Sequence, residues 1–249
     1  MIDIHAHILP GLDDGATDIE DAVEMARIAW QNGTTAIIAT PHCNLPGTYD
    51  NYFGKAYIDV YDQTVEAVRK AGLDIQILPG MEAFATYDLP DLIVDQKIMP
   101  LNQSRYILIE FAFEENPDYA EDILSRVKAV GARPVIAHPE RYGFIQDDMR
   151  SGMRIVKKWS REGYIFQINK SSFLGKFGRG TMDTAYKLLD NGIVTAIASD
   201  AHGVEFRTTN MLDVYEELEK SYSRKELQIL FQENPLRICN NEPILKKRM

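Results

Sequence analysis

Five histidines, with carboxylates spaced among them, are the residues of this 249-residue chain most able to do chemistry. His5 and His7 stand two apart, His42 follows Thr40-Pro41, His138 follows Ile136-Ala137, and His202 closes Asp200-Ala201-His202. Residues two apart on a strand share a side, about 6.6 Å from each other, so two imidazoles at that spacing can grip one ion. Imidazole is a common ligand for borderline divalent metals. Glu82 comes just after Pro79-Gly80, Glu110 ends the apolar run Ile107-Leu108-Ile109, Asp200 precedes His202 by two, and Asp13-Asp14-Gly15 follows the opening segment. A carboxylate in an apolar strand is unfavourable to bury unless it is paired, hydrogen-bonded or metal-bound. Ordinary readings compete: polar residues at a strand end, an arginine salt bridge for Glu110, a turn with capping carboxylates for Asp13 and Asp14. The shared address of all five histidines favours the metal.

Two arginines and two cysteines refine the chemistry. Arg141 follows His138 by three residues and Arg207 follows His202 by five. A planar guanidinium captures phosphate oxygens in pairs. A thiol phosphatase loop needs Cys-x5-Arg, but the sixth residue after Cys43 is Tyr49 and after Cys239 is Leu245. Cys43 beside His42 therefore reads as a small residue next to a ligand. Asp14, Glu82, Glu110 and Asp200 alone would repel a phosphate dianion. Three divalent ions with one bridging hydroxide would outweigh them by one positive charge, before Arg141 and Arg207 are counted. Such ions also lower the pKa of bound water enough to supply a nucleophile near neutrality.

Scattered residues form one site only if strand ends converge, as they do on the rim of a parallel α/β barrel. Nearly continuous apolar runs predict strands near residues 2–5, 35–40, 75–79, 105–111, 133–137, 164–168 and 194–199, buried on both faces. Helical patterns alternate with them. Thr17-Asp18-Ile19-Glu20 reads as a capping box with Thr17 as N-cap, opening a helix that buries Ile19, Ala22, Val23, Ala26, Ala29 and Trp30 and ends at Gly33. Further helices are expected from Asn51 to Ala71, from Pro117 to Gly131, and over 150–162, 180–191, 208–221 and 223–233. Seven such units without a Gly-, Ser- or Pro-rich linker favour a closed or nearly closed barrel over an open sheet. No Gly-x-Gly-x-x-Gly or phosphate loop supports a dinucleotide or nucleotide-triphosphate fold.

Composition sets the remaining bounds. With 27 Lys+Arg against 37 Asp+Glu, the net charge of −10 argues against nonspecific nucleic-acid binding. Two cysteines are too few for a disulfide scaffold and suggest a reducing compartment. Asp3 and His5 interrupt any leader-like start, and no apolar run approaches the ~20 residues that span a bilayer. The expected location is the cytoplasm, with no integral membrane segment.

The stretches Asp3-Ile4-His5-Ala6-His7-Ile8, Asp13-Asp14-Gly15, Thr40-Pro41-His42, Gly80-Met81-Glu82, Leu108-Ile109-Glu110-Phe111, Val135-Ile136-Ala137-His138-Pro139-Glu140-Arg141 and Ala198-Ser199-Asp200-Ala201-His202 run in order along the chain. Together they resemble the polymerase and histidinol phosphatase (PHP) family of metal-dependent phosphoesterases, above all its bacterial protein-tyrosine-phosphatase branch, found with capsule and exopolysaccharide synthesis systems. The resemblance implies a single PHP-type domain over residues 1–249, folded as a distorted (β/α)7 TIM-like barrel with a trinuclear metal site at the C-terminal ends of the strands. The ions implied are Mn2+, with Fe, Co or Zn as alternatives. His5, His7, Glu82 and Asp200 would hold the first ion. Glu82 would bridge to a second, also held by Glu110 and His138, while Asp14, His42 and His202 would hold the third. Whether Asp13 or Asp14 is the ligand stays open. Other branches tend to carry histidine where this chain has Asp14 and Glu110, which points to the tyrosine-phosphatase branch.

The implied reaction is hydrolysis of phosphotyrosine by metal-activated hydroxide. Arg141 and Arg207 would bind non-bridging oxygens, and His42 or His202 is a candidate proton donor. The implied partner is a phosphotyrosyl protein, a bacterial tyrosine autokinase that regulates capsule or exopolysaccharide synthesis. The basic and aromatic loop from Asn169 to Arg179 is a candidate for receiving an acidic phosphotyrosyl peptide or else a solvated loop, and Lys246-Lys247-Arg248 reads as a solvated terminus. Two other readings compete: a PHP-type phosphoesterase acting on small phosphate esters or nucleic-acid ends, and a non-catalytic, metal-dependent phosphotyrosine-binding regulator.

Overall fold

The structure, a computed structural model, describes residues 1–245, so Lys246, Lys247 and Arg248 lie outside the described residues. In chain order the strands are β1 (Ile2–Ala6), β2 (Ala36–Ala39), β3 (His42–Cys43), β4 (Gln76–Pro79), β5 (Glu82–Phe84), β6 (Tyr106–Glu110), β7 (Arg133–Ala137), β8 (Ile165–Asn169) and β9 (Ala196–Ala198). They pair in parallel as two sheets, β1-β2-β4 and β3-β5-β6-β7-β8-β9. Each run expected from the sequence contains a strand. The two short strands β3 and β5 were not expected. Each resumes after a two-residue break, at Thr40-Pro41 and at Gly80-Met81. Pro41 has no N–H for a ladder, and its carbonyl accepts the Glu82 N–H at 3.1 Å. The chain thus changes sheet immediately before His42 and Glu82.

At the other edge β1 meets the end of β9. Ala6 and Ala201 form an isolated parallel bridge. The Asp200 N–H donates to His5 O and the His7 N–H to Ala201 O, both at 2.8 Å. The result is a mixed α/β fold built on parallel sheets.

Strand alternation divides the interior into two apolar clusters. Ile37, Ile107, Ile109, Ile136, Phe166 and Ile168 pack with helix residues such as Met25, Ile123, Trp159 and Leu188. Ile38, Tyr106, Leu108, Val135, Ala137, Ile165, Ala196 and Ala198 form the second cluster with Leu101, Ile238 and Cys239. On β6 the face that carries Tyr106 and Leu108 continues to Glu110. On β8 the face of Ile165 continues to Gln167 and Asn169. One strand face is therefore apolar at its start and polar at its end.

The helices are α1 (Ile19–Gln31), α2 (Lys55–Lys70), α3 (Leu89–Val94), α4 (Pro117–Ala129), α5 (Gly143–Gln146), α6 (Met149–Glu162), α7 (Lys170–Phe173), α8 (Arg179–Asp190), α9 (Leu212–Glu219), α10 (Arg224–Gln228) and α11 (Asn234–Cys239). Several boundaries correct the sequence reading. The N-cap of α1 is Asp18, whose carboxylate accepts the Asp21 N–H at 2.8 Å, whereas the Thr17 hydroxyl donates to the Asp21 side chain. The buried stripe of α1 is Ala22, Met25, Ala26 and Ala29; Trp30, one position round the helix, is 41% exposed. Helix α2 starts at Lys55 because Asn51 is used elsewhere, donating through Nδ2 to His42 O at 3.0 Å. The segment before α9 is held by side chains: Thr209 Oγ1 donates to Met25 O (2.5 Å), and Asn210 Oδ1 accepts the Leu212 N–H (3.0 Å). The helix expected over 223–233 passes through a π-turn at Ile229–Glu233 into α11.

Candidate metal centre

Strand ends place every candidate residue. His5 lies in β1 and His7 just beyond it; His42 opens β3, Glu82 opens β5 and Glu110 closes β6. His42 and Glu82 are register partners. His138, Asp200 and Arg207 have left-handed backbones, with φ of 32°, 50° and 49°. That region is sparsely populated by side-chain-bearing residues, and such outliers cluster at functional sites. The Asp13-Asp14-Gly15 turn lies directly on His7. A Cβ added at Gly15 would sit 2.0 Å from His7 O and 2.5 Å from His7 Cβ. Only glycine permits that approach.

The first group is His5, His7, Glu82 and Asp200, all buried. His5 Nε2 is 3.2 Å from His7 Nε2, 3.1 Å from Glu82 Oε2 and 3.4 Å from Asp200 Oδ1; His7 Nε2 is 3.2 Å and 3.4 Å from the same two oxygens. The neighbouring groups fix which nitrogens carry protons. Asp13 Oδ2 lies 2.6 Å from His7 Nδ1, and a carboxylate only accepts, so Nδ1 donates. Asp200 Oδ2 accepts from Asn169 Nδ2 (2.5 Å), Asn169 Oδ1 accepts from Gln167 Nε2 (2.9 Å), and Gln167 Oε1 accepts from His5 Nδ1 (2.8 Å). With both imidazoles neutral, both Nε2 lone pairs face two carboxylate oxygens. Four electron-rich atoms then converge with no donor hydrogen between them, and among the described residues Glu82 Oε2 has no hydrogen-bond partner. Ligands about 2.0–2.1 Å from one tetrahedral ion stand roughly 3.3 Å apart. This donor set fits a divalent cation.

Two further groups adjoin it. His42, Glu82 and Glu110 form one, with His42 Nδ1 at 3.1 Å from Glu82 Oε2 and 3.4 Å from Glu110 Oε2. His138 Nε2 stands beside it, 3.0 Å from Glu82 Oε1 and 3.6 Å from Glu110 Oε1. His7, Asp14, His42 and His202 form the other. Asp14 Oδ1 is 3.4 Å from His202 Nε2 and 3.7 Å from His42 Nε2. Asp13 is occupied differently: besides His7, it accepts the backbone N–H of His42 (2.8 Å) and of Gly15 (2.9 Å). Asp14 faces the histidines while Asp13 orients one of them.

The demand for positive charge shows in the titration of these groups. Burial presses the His7 pKa down, yet Asp13, Asp200 and Glu82 lift it well above the ordinary imidazole value. Burial raises Glu82, but His5 and His42 hold it well below the usual carboxylate range. Glu110 goes the other way: burial, then the Glu82 and Asp200 charges, push it up to about 9. Burial lowers His42, His138 and His202.

Both arginines reach this rim. Arg207 Nη2 is 2.6 Å from Asp200 Oδ2, and its Nε donates to Asp200 O at 3.2 Å. Arg141 Nη1 is 3.9 Å from the same carboxylate oxygen, and its guanidinium lies between Phe113 (4.3 Å) and Phe177 (4.5 Å). All nine candidate ligands and both arginines are thus brought to one end of the strands. Sequence reasoning passed over Asp13 as an orienting group and Gln167 altogether, and took Asn169 only as the first residue of the basic loop. Their signal was two amides alternating with apolar residues in Ile165-Phe166-Gln167-Ile168-Asn169. Of the basic loop, Lys170 is buried and bound to Asn210 O and Asp213 Oδ2, so it ties the fold together and faces no ligand.

Comparison with known proteins adds to this geometry. The family model described as "Capsular polysaccharide synthesis, CpsB/CapC" matches residues 1–240. The tyrosine-protein phosphatase YwqE of Bacillus subtilis (strain 168) is 36% identical over 247 residues, 99% of this chain and 94% of that protein. A crystal structure from work on YwqE and on CpsB of Streptococcus pneumoniae, described as unique metal-dependent tyrosine phosphatases, superposes with a TM-score of 0.90 at 34% identity, covering 99% of this chain and 97% of that one. Dihydropyrimidinase from Brevibacillus agri shares the fold alone, with a TM-score of 0.57 at 12% identity over 97% of this chain and 71% of its own.

Proposed function

The chain belongs to the CpsB/CapC family, and from that premise we infer that it is a metal-dependent tyrosine-protein phosphatase. The observation that carries this is the set of three ligand groups sharing His7, His42 and Glu82, with two guanidiniums beside it. The whole chain is one PHP-type domain, a distorted (β/α)7 barrel whose seam is the β1–β9 contact. His5, His7, Glu82 and Asp200 would hold one ion; Glu82, Glu110 and His138, with His42 adjacent, would hold a second; Asp14, His42 and His202, with His7, would hold a third. The resident ion is Mn2+.

Divalent ions there would supply an activated water and a positive field for the phosphoryl group. The protein's own part is positioning. Arg141, clamped between two phenyl rings, presents its edge to a non-bridging oxygen. Arg207 neutralises Asp200 until a phosphate shares its Nη2. The leaving phenol has a reference pKa near ~10, so it departs with little acid assistance, and His42 and His202 act chiefly as ligands. Cys43 takes no part, because it is fully buried and burial pushes its thiol far up. The physiological substrate is a phosphotyrosyl protein, a bacterial tyrosine autokinase of a capsule or exopolysaccharide system, met in the cytoplasm. Among the described residues no helix is long and apolar enough to cross a membrane.

The deciding measurement is phosphate release from a phosphotyrosyl peptide before and after chelation, with Mn2+ restored. Turnover is expected to vanish on chelation, return with metal and survive in Cys43→Ser. Activity that resists chelation and dies with Cys43→Ser would falsify the reading.

A further inference from the structure

Resting on the phosphotyrosine reading above, the remaining question is what receives the ring. A groove of about 350 Å3 opens beside the outer ligands. It is lined by the polar Asp14, His42 and Glu110 and by the apolar Leu45, Tyr49, Phe84 and Phe113, among others. The Tyr49 ring lies parallel to the His42 imidazole, 2° between planes and 5.7 Å between centroids. Phe113 is 40% exposed, turns its edge to His138 at 6.1 Å and lies against the Arg141 guanidinium. Two rings that ligate nothing therefore overhang the ligand groups from the loops after β3 and β6.

We propose that this groove is an aryl subsite, in which Tyr49 and Phe113 flank the phenyl ring of phosphotyrosine and determine preference for aryl over alkyl phosphates. The chemistry of the ester requires it. One bridging oxygen separates the phosphorus from the ring, so a phenyl ester whose phosphate lies beside the polar lining residues brings its ring to the apolar ones. A phosphoserine methylene presents too little apolar surface to cover them. Each aromatic contact is worth roughly threefold to tenfold in affinity.

The test uses the Mn2+-loaded protein and two non-hydrolysable probes, phenylphosphonate and methylphosphonate, measured as inhibition constants beside metal content. Phe113→Ala and Tyr49→Ala are each expected to weaken phenylphosphonate by roughly threefold to tenfold, and methylphosphonate by less than about twofold. Tyr49→Phe, which keeps the ring, is expected to retain the wild-type ratio. If both probes weaken together, the rings act only through Arg141 and His42, and the subsite is wrong. An unmoved ratio overturns it as well. A wild-type protein that releases no phosphate from a phosphotyrosyl peptide and binds neither probe removes the phosphatase reading, and the groove with it. Turnover with an unmoved ratio removes the groove alone.

Discussion

The inner and outer ligand groups use the same residue types and are supported in opposite ways. His5, His7, Glu82 and Asp200 are buried to 2% exposure or less, whereas Asp14 is half-exposed at 53% and His42 and His202 at 14% and 9%. Each inner imidazole has its remote nitrogen pinned, one by Asp13 and the other by an amide chain that begins at Asp200. The outer group is carried by His42 at the start of β3 and by the loops after β1 and β9, and among the described residues the ion-pair partners of Asp14 are His42 and His202. Charges attract more strongly out of water, and outer hydrogen bonds hold ligands in place. The inner group is thus a product of folding, while the outer one stays open to exchange and to substrate.

Breaking the inner group should have the largest effect. Asp200→Asn is expected to lower kcat/KM by on the order of a thousandfold and to empty the inner site, as read by metal content. Asp14→Asn should lower activity too but leave the inner ion in place. Equal metal loss in the two variants would erase the distinction. Next comes Gly15→Ala, which drives a methyl into the His7 carbonyl and disturbs both groups, since they share His7. A stability loss of about 1–3 kcal/mol is expected, with metal lost from both; an unchanged melting temperature would show that the turn can move aside.

A subtler intervention separates the groups without touching a ligand. Gln167→Leu cuts the amide chain to His5 and should weaken the inner ion about 10- to 100-fold, leaving the outer affinity alone. Loss confined to the outer ion would contradict the assigned tautomer. The smallest effect is a proton count. His7 is held well above the ordinary imidazole value, so near pH 7 it is protonated in the metal-free protein, and its proton leaves as the ion binds. His42 and His202 are lowered by burial and are already neutral. Metal uptake in weak buffer at pH 7 should therefore release acid during inner loading, and inner affinity should fall as pH drops. Acid release during outer loading alone would reverse the assignment.

What was legible in the sequence had a period. Apolar runs of four to seven residues located the strands, and histidines and carboxylates at the ends of those runs located the rim. The break at Thr40-Pro41 hid β3, because a proline reads as an end even when the next two residues pair again. Trp30 looked buried because it is large and apolar, but the stripe set by Ala22, Met25, Ala26 and Ala29 leaves it outside. The link of Gln167 and Asn169 to the rim was missed because an amide announces no chemistry of its own. Their role exists only through Asp200 and His5, one 31 residues from Asn169 and the other 162 from Gln167. Asp13 and Asp14 were indistinguishable until the backbone showed which one was already spoken for by two N–H groups.

The left-handed backbones at His138, Asp200 and Arg207 have a consequence for how this protein can change. At each position glycine would relax the chain, while removing a side chain to which the proposed reaction gives a role. Local comfort and chemistry pull against each other at the same three residues. A lineage drifting under selection for robustness alone would find glycine there and fall silent, still folded. Silent relatives of that kind would be recognised by three new glycines before any ligand in the strands had changed.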